Sequence, residues 1–198
     1  GEEEGGQLTG HGLLWMLDPI DGTVNFLHGF PLCAVSLSLL AENTVVAAVI
    51  HLPFIGTQYT GLLGQGAFAG DKRLHVSQTS TLADALISID QYAFGEDAER
   101  KNRWRLRLTE RLAHDAQRVR MLGSSAIDLA WTAEGRLDAC ILLEDEPGRR
   151  LARTRPVHVA VSAQSAADEC VVPIWDRSDD GLEVRSEIHH SGEGPLQV

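Results

Sequence analysis

The sequence predicts a layered α/β (α+β) sandwich, and three features carry that prediction: an early run of hairpin strands, one long amphipathic helix, and a later alternation of strand and helix. At 198 residues the chain is one domain, or a domain and a tail, and its 43% hydrophobic content supports a core of ordinary size.

Taken in order, Leu13–Leu17 is a short continuous apolar run that Asp18-Pro19 should end, because proline cannot donate to a strand ladder. Leu32–Leu40 and Thr44–Leu52 read as a hairpin across the polar turn Ala41-Glu42-Asn43. Thr57–Leu63 adds a strand punctuated by Gly64-Gln65-Gly66, and Leu74–Val76 and Ala85–Ile89 are further strand candidates. Over Ala98–Ala116 the period changes. Trp104, Leu108 and Leu112 fall four apart, while Arg100, Arg103, Arg105, Arg107 and Arg111 take the other faces, which predicts a helix with a solvated basic side. Gln117–Leu122 then reads as a strand. Gly123-Ser124-Ser125 is the cap of a helix to about Gly135 with the stripe Ile127, Ala130 and Trp131, and Leu137–Leu143 is a buried strand. After Pro147 periodicity lapses, apart from a possible strand at Cys170–Trp175. The expectation is an α/β domain over 1–147 and a divergent, poorly ordered tail over 148–198.

Charge narrows the partners. With 17 Lys+Arg against 28 Asp+Glu, the net charge of −11 argues against nucleic acid and anionic membrane surfaces, which select clustered cations. The longest apolar runs are strand-length, far short of a membrane span. No signal-peptide pattern is read at the start, so a reducing, cytoplasmic compartment is expected. Cys33, Cys140 and Cys170 are widely spaced with no CxxC, and read as small buried hydrophobes rather than disulfides, zinc ligands or nucleophiles.

The informative segment is Trp15–Phe26. Asp18 and Asp21 flank Pro19-Ile20, and Gly22-Thr23 can turn the chain into a helix. Two carboxylates and the Ile20 carbonyl form an all-oxygen set suited to a hard cation such as Mg²⁺, and the N–H groups of Gly22 and Thr23 could meet a phosphate. The bland alternative is an Asx-type turn with solvated carboxylates. The full string Asp18-Pro19-Ile20-Asp21-Gly22-Thr23-Val24-Asn25-Phe26 resembles the hallmark of the inositol monophosphatase family of metal-dependent, lithium-sensitive phosphatases. Gly1-Glu2-Glu3, Phe30-Pro31, Gly64–Phe68, Gly123–Ala126 and Gly135–Ala139 extend the similarity over roughly 1–147.

The resemblance implies a fold of the sugar-phosphatase type and hydrolysis of a small polyol phosphate, inositol monophosphate first and histidinol phosphate as an alternative. It implies Glu2, Asp18, Asp21 and the Ile20 carbonyl as Mg²⁺ ligands. Gly22 and Thr23 would bind phosphate, Thr23 would also orient the attacking water, and Ser124 and Ser125 would contact substrate. A homodimer is a further implication. Two departures stand beside these. The two helices that precede Gly-Glu-Glu in the family, with the aspartate that partners the motif threonine, lie outside this sequence, so the fold is expected to be truncated at its N-terminus. The second signature, Trp-Asp-x-Ala-Ala-Gly, is replaced by Pro147-Gly148-Arg149-Arg150-Leu151, with Arg149 at the position of a metal-binding aspartate; the later Trp175-Asp176 lies too far on to stand in for it. Apolar surface on Leu137–Leu143 is therefore expected to be left exposed, and a non-catalytic fragment with an incomplete metal site is the competing reading.

Overall fold

The computed structural model describes residues 12–42, 44–96 and 98–142, and beyond them the strands at 158–161, 171–173, 175–178 and 181–184. In chain order the elements begin with β1 (Leu13–Asp21), α1 (Thr23–Leu27), β2 (Ala34–Ala41), β3 (Thr44–Leu52), β4 (Thr57–Leu62), β5 (Gly66–Ala69), β6 (Lys72–Arg73) and β7 (Leu86–Ile89). They continue with α2 (Ala98–Asp115), β8 (Arg118–Arg120), α3 (Ser125–Ala133), β9 (Ala139–Leu142), β10 (His158–Val161), β11 (Val171–Pro173), β12 (Trp175–Ser178) and β13 (Gly181–Val184). The described residues fall into two compact units, one within 12–75 and 122–135, the other within 76–121 and from 136 on. The expected tail over 148–198 falls largely outside the described residues.

In the first unit β1 to β6 form an antiparallel meander in sequence order. The predicted hairpin is β2–β3, with Ala41 opposite Thr44 and Glu42 at a positive φ of 48° in the turn. Leu74–Val76 is not a strand. The hairpin instead closes at Lys72–Arg73, and Leu74 donates its N–H to Ala67 O at 2.8 Å. Side chains alternate across the sheet, so Ala34, Leu52 and Tyr59 project to one face, where they meet Ala126, Ile127 and Ala130 of α3. Leu52 and Ile127 are fully buried, and each such side chain contributes about 1.5–3 kcal/mol relative to exposure. Tyr59 also donates its hydroxyl to Glu134 Oε2 at 2.7 Å, fastening the far end of the helix to β4. The other face of β1 carries Leu13, Trp15 and Leu17, exposed by 71%, 60% and 52%.

The second unit holds a mixed sheet in the order β11-β10-β9-β7-β8. Strand β7 pairs parallel with both β8 and β9, a connection that a crossover helix makes possible, and α2 is the helix between β7 and β8. Leu108 and Leu112 of α2 pack on Ala85, Ile87, Ile89 and Ile141. β12 and β13 form a separate hairpin. The α/β class expected from the sequence thus holds in both units: each has a sheet with a helix on it.

Two expectations are corrected. Arg105 is not on a solvated face: it is 4% exposed, and its Nη1 donates to Gln91 O at 3.0 Å, so a buried guanidinium ties α2 to the chain after β7. Residues 137–142 are not left bare either: Leu137, Cys140 and Ile141 are buried, β9 is flanked by β7 and β10, and Ile141 packs with Leu108 and Leu112 of α2, while Leu143 lies outside the described residues. Exposed apolar surface lies on β1 instead. Among the described residues no helix is long and apolar enough to cross a membrane.

Asp138 closes the second unit locally. Burial pushes its carboxyl up, but hydrogen bonds from Ser77, Thr79 and the Leu86 N–H outweigh burial and hold it below the ordinary value of 3.8. A folded-state value below the unfolded one means that stabilisation is complete above the unfolded value and is lost as pH falls through the lower, folded one. Asp138→Asn is expected to cost about 2 kcal/mol at pH 7. In urea unfolding the gap between native and variant should narrow below about pH 4; a gap of constant size down to pH 2 would contradict this assignment.

Candidate active site

The Asp18–Thr23 segment is shaped by an extra residue in β1. Asp18 lies opposite Ser36 and Asp21 opposite Ala34, so three steps on β1 match two on β2. Residues three apart on a regular strand point to opposite faces. The bulge removes that opposition and turns Asp18 and Asp21 to one face, the face on which α3 packs. Pro19 does not end the strand as the sequence suggested. It sits at the irregularity of an edge strand, where its missing N–H breaks no ladder bond.

Gly22 makes the turn into α1. It has φ 82° and ψ 41°, the left-handed region that glycine enters without cost. A Cβ there would lie 2.8 Å from Leu32 O and 3.1 Å from Gly123 O, so space as well as backbone geometry requires glycine. The helix that follows is short, five residues, with Phe26 N–H donating to Gly22 O at 3.0 Å.

The two aspartates have different surroundings. Asp18 is half-buried, and its Oδ1 accepts the Ile20 N–H at 3.1 Å, the Asx turn of the bland reading. Asp21 is not a solvated carboxylate. Its Oδ2 accepts from the Ser124 hydroxyl and from the Ala126 N–H, the latter at 3.0 Å. Ser124, 3% exposed, caps α3 by accepting the Ile127 N–H at 3.3 Å while it donates to Asp21. Asp21 therefore occupies the N-terminus of α3, where free N–H groups and the helix dipole favour negative charge.

Other side chains complete the segment. Thr23 donates its hydroxyl to Ile20 O at 2.9 Å. Asn25 spends both amide protons, on Leu32 O and on Leu122 O, each at 2.7 Å. Cys33 is 3% exposed, and burial together with the neighbouring Asp21 charge pushes its thiol up, so it stays neutral beside the carboxylate. Cys33 and Cys140 are buried and form no disulfide among the described residues, and Cys170 lies outside them.

A hard cation fits what is present in part. Asp18 Oδ2 and Asp21 Oδ1 accept no hydrogen bond among the described residues, and the Ile20 carbonyl keeps a lone pair, giving an all-oxygen set. No group of three or more His, Cys, Asp or Glu side chains suited to a metal is found among the described residues. Glu2 and Arg149 lie outside them. Of the residues expected at the site, Asp18, Ile20 and Thr23 form one hydrogen-bonded group and Asp21 and Ser124 another, with Gly22 between them in the chain, while Ser125 is exposed at the start of α3. Sequence reasoning assigned nothing to Asn25. Its only signal was its place in the motif, since its partner Leu122 is 97 residues away.

The family model described as "Inositol monophosphatase family" matches residues 1–151. Inositol-1-monophosphatase ImpA of Mycolicibacterium smegmatis is 38% identical over 141 residues, covering 71% of this chain and 51% of that protein. A fructose-1,6-bisphosphatase/inositol-1-monophosphatase of Aquifex aeolicus is 31% identical over 147 residues, covering 74% of this chain and 54% of that one. Among solved structures, the inositol monophosphatase of Anabaena superposes with a TM-score of 0.63 at 33% identity, over 70% of this chain and 54% of that chain. The chain spans about half the length of the curated relatives it matches.

The Gly22 geometry gives a paired test. Gly22→Ala combines left-handed strain of about 1–2 kcal/mol with a clash against two carbonyl oxygens. Gly29→Ala, at φ 74° with open space around it, carries the strain alone. Thermal unfolding should therefore place Gly22→Ala well below Gly29→Ala, by about 5 °C or more. Equal melting points would contradict the close approach.

Proposed function

This chain belongs to the inositol monophosphatase family, and on that premise we propose that it hydrolyses a small polyol or sugar phosphate monoester in a Mg²⁺-dependent reaction, with inositol monophosphate as the lead substrate. The observation that carries the reading is the pair Asp18 and Asp21, turned to one face by a bulge, with one oxygen of Asp21 fixed to α3 and the other left open. The names of the relatives add fructose 1,6-bisphosphate to the substrates worth trying.

In this reading Asp18, Asp21, the Ile20 carbonyl and Glu2 hold Mg²⁺. Bound there, the ion would supply positive charge that lowers the pKa of a water and offsets charge on the phosphoryl and leaving oxygens. The chain's own residues do the rest. The Ser124 and Ala126 donors hold one oxygen of Asp21 and leave the other to a cation, with no reorganisation needed when substrate arrives. Thr23 donates its hydroxyl hydrogen bond to Ile20 O and so presents a lone pair, which accepts a hydrogen bond from the attacking water and sets its direction. The N–H groups of Gly22 and Thr23 receive phosphate oxygens, and Ser125, exposed at the start of α3, contacts the polyol. Lithium sensitivity, a cytoplasmic setting and a homodimer belong to the same reading.

A second reading, a non-catalytic fragment with an incomplete metal site, is favoured by the sequence Pro147-Gly148-Arg149-Arg150-Leu151, which puts Arg149 where the family's second signature has an aspartate. One assay separates the two. Phosphate release from inositol 1-phosphate should require Mg²⁺ and should fall about 100-fold or more in Asp21→Asn. No release from a folded sample, with or without Mg²⁺, selects the fragment.

A further inference from the structure

We propose that Asn25 is a positioning residue for Asp21, acting through the turn that precedes α3. The proposal rests on the reading of Asp18 and Asp21 as the metal-holding pair. Asn25 lies on α1, one turn past Gly22, and its amide bridges Leu32 O, just before β2, to Leu122 O, just before the Gly123–Ser124 turn. Both bonds are 2.7 Å and part-buried, and together they use every proton the amide has.

The path from Asn25 to the site is short. Two residues after Leu122, Ser124 turns its hydroxyl onto Asp21, and two residues further the Ala126 N–H meets the same oxygen. The carbonyls that hem in Gly22 come from the same two segments, Leu32 O and Gly123 O. Asn25 thus fixes the distance between the Asp21–Gly22 turn and the N-terminus of α3. If that distance opened, Asp21 would lose both donors and its outward oxygen would lose its direction. A residue that orients a metal ligand without touching the metal changes affinity about 10- to 100-fold when removed.

Asn25→Asp is the sharp variant, because it replaces a two-proton donor with an acceptor facing two carbonyl oxygens. Asn25→Ser removes both bonds without adding charge and serves if the first variant folds poorly. The readout is amide hydrogen exchange by NMR on the metal-free chain, followed by Mn²⁺ titration. The expected result is exchange of the Ala126 N–H at least about tenfold faster, with Val49 and Ile50 of β3 unchanged, and Mn²⁺ affinity lower by about tenfold. Unchanged Ala126 exchange in both variants would overturn the proposal. So would equal loosening of Ala126 and β3, or loss of folding in both variants, since Asn25 would then serve the fold at large. Faster Ala126 exchange in a chain whose native form takes up no Mn²⁺ would uphold the positioning role and remove the metal reading instead.

Discussion

The carboxylate of Asp21 set against the first turn of α3 is the interaction on which the rest of this structure turns. A helix of nine residues leaves its first N–H groups without intrahelical partners. Ser124, the residue just before the helix, satisfies one and Asp21 a second from β1. The charge is well placed, because a carboxylate at a helix N-terminus is stabilised by about 0.3–1 kcal/mol when exposed and more when partly buried. The hydrogen bonds are charge-assisted, which makes them the stronger kind. One carboxylate therefore caps a helix with one oxygen and keeps the other for chemistry.

Such an arrangement needs a backbone that would be unfavourable elsewhere. The bulge in β1 leaves residues outside the ladder, and Gly22 stands in a conformation that side-chain-bearing residues avoid. What holds it is the packing beneath: Ala34, Leu52 and Tyr59 from the sheet against Ala126, Ile127 and Ala130 from α3. The same helix whose N-terminus receives Asp21 is pinned at its other end by Tyr59 and Glu134. Packing fixes where α3 lies, and α3 fixes where Asp21 points.

Much of this was legible in the sequence, for identifiable reasons. The β2–β3 hairpin and α2 announced themselves by period, and the Ser124 cap by the Gly-Ser-Ser string before an apolar stripe. The aspartate pair was visible as a motif, although its geometry was not. Spacing placed Asp18 and Asp21 three apart, and only the pairing register reveals the extra residue that brings them to one face. Proline breaks ladders, so Pro19 predicts the end of a strand, whereas on an edge strand at a bulge there is no bond to break. Helical position alone puts Arg105 on the solvated side; its burial depends on the chain after β7, which periodicity within α2 cannot report. Asn25 illustrates the same limit. Its importance lies in two carbonyls, one of them 97 residues distant, and no local pattern encodes such a contact.

Anomalous diffraction from crystals of the chain grown with Mn²⁺ decides whether this scaffold exists to hold a cation. The expected result is an anomalous peak against Asp18 Oδ2, Asp21 Oδ1 and the Ile20 carbonyl, with Ser124 and Ala126 still bonded to Asp21 Oδ2. An intact Asp21–Ser124 pair with no peak beside it, or with peaks only elsewhere on the molecule, would contradict it.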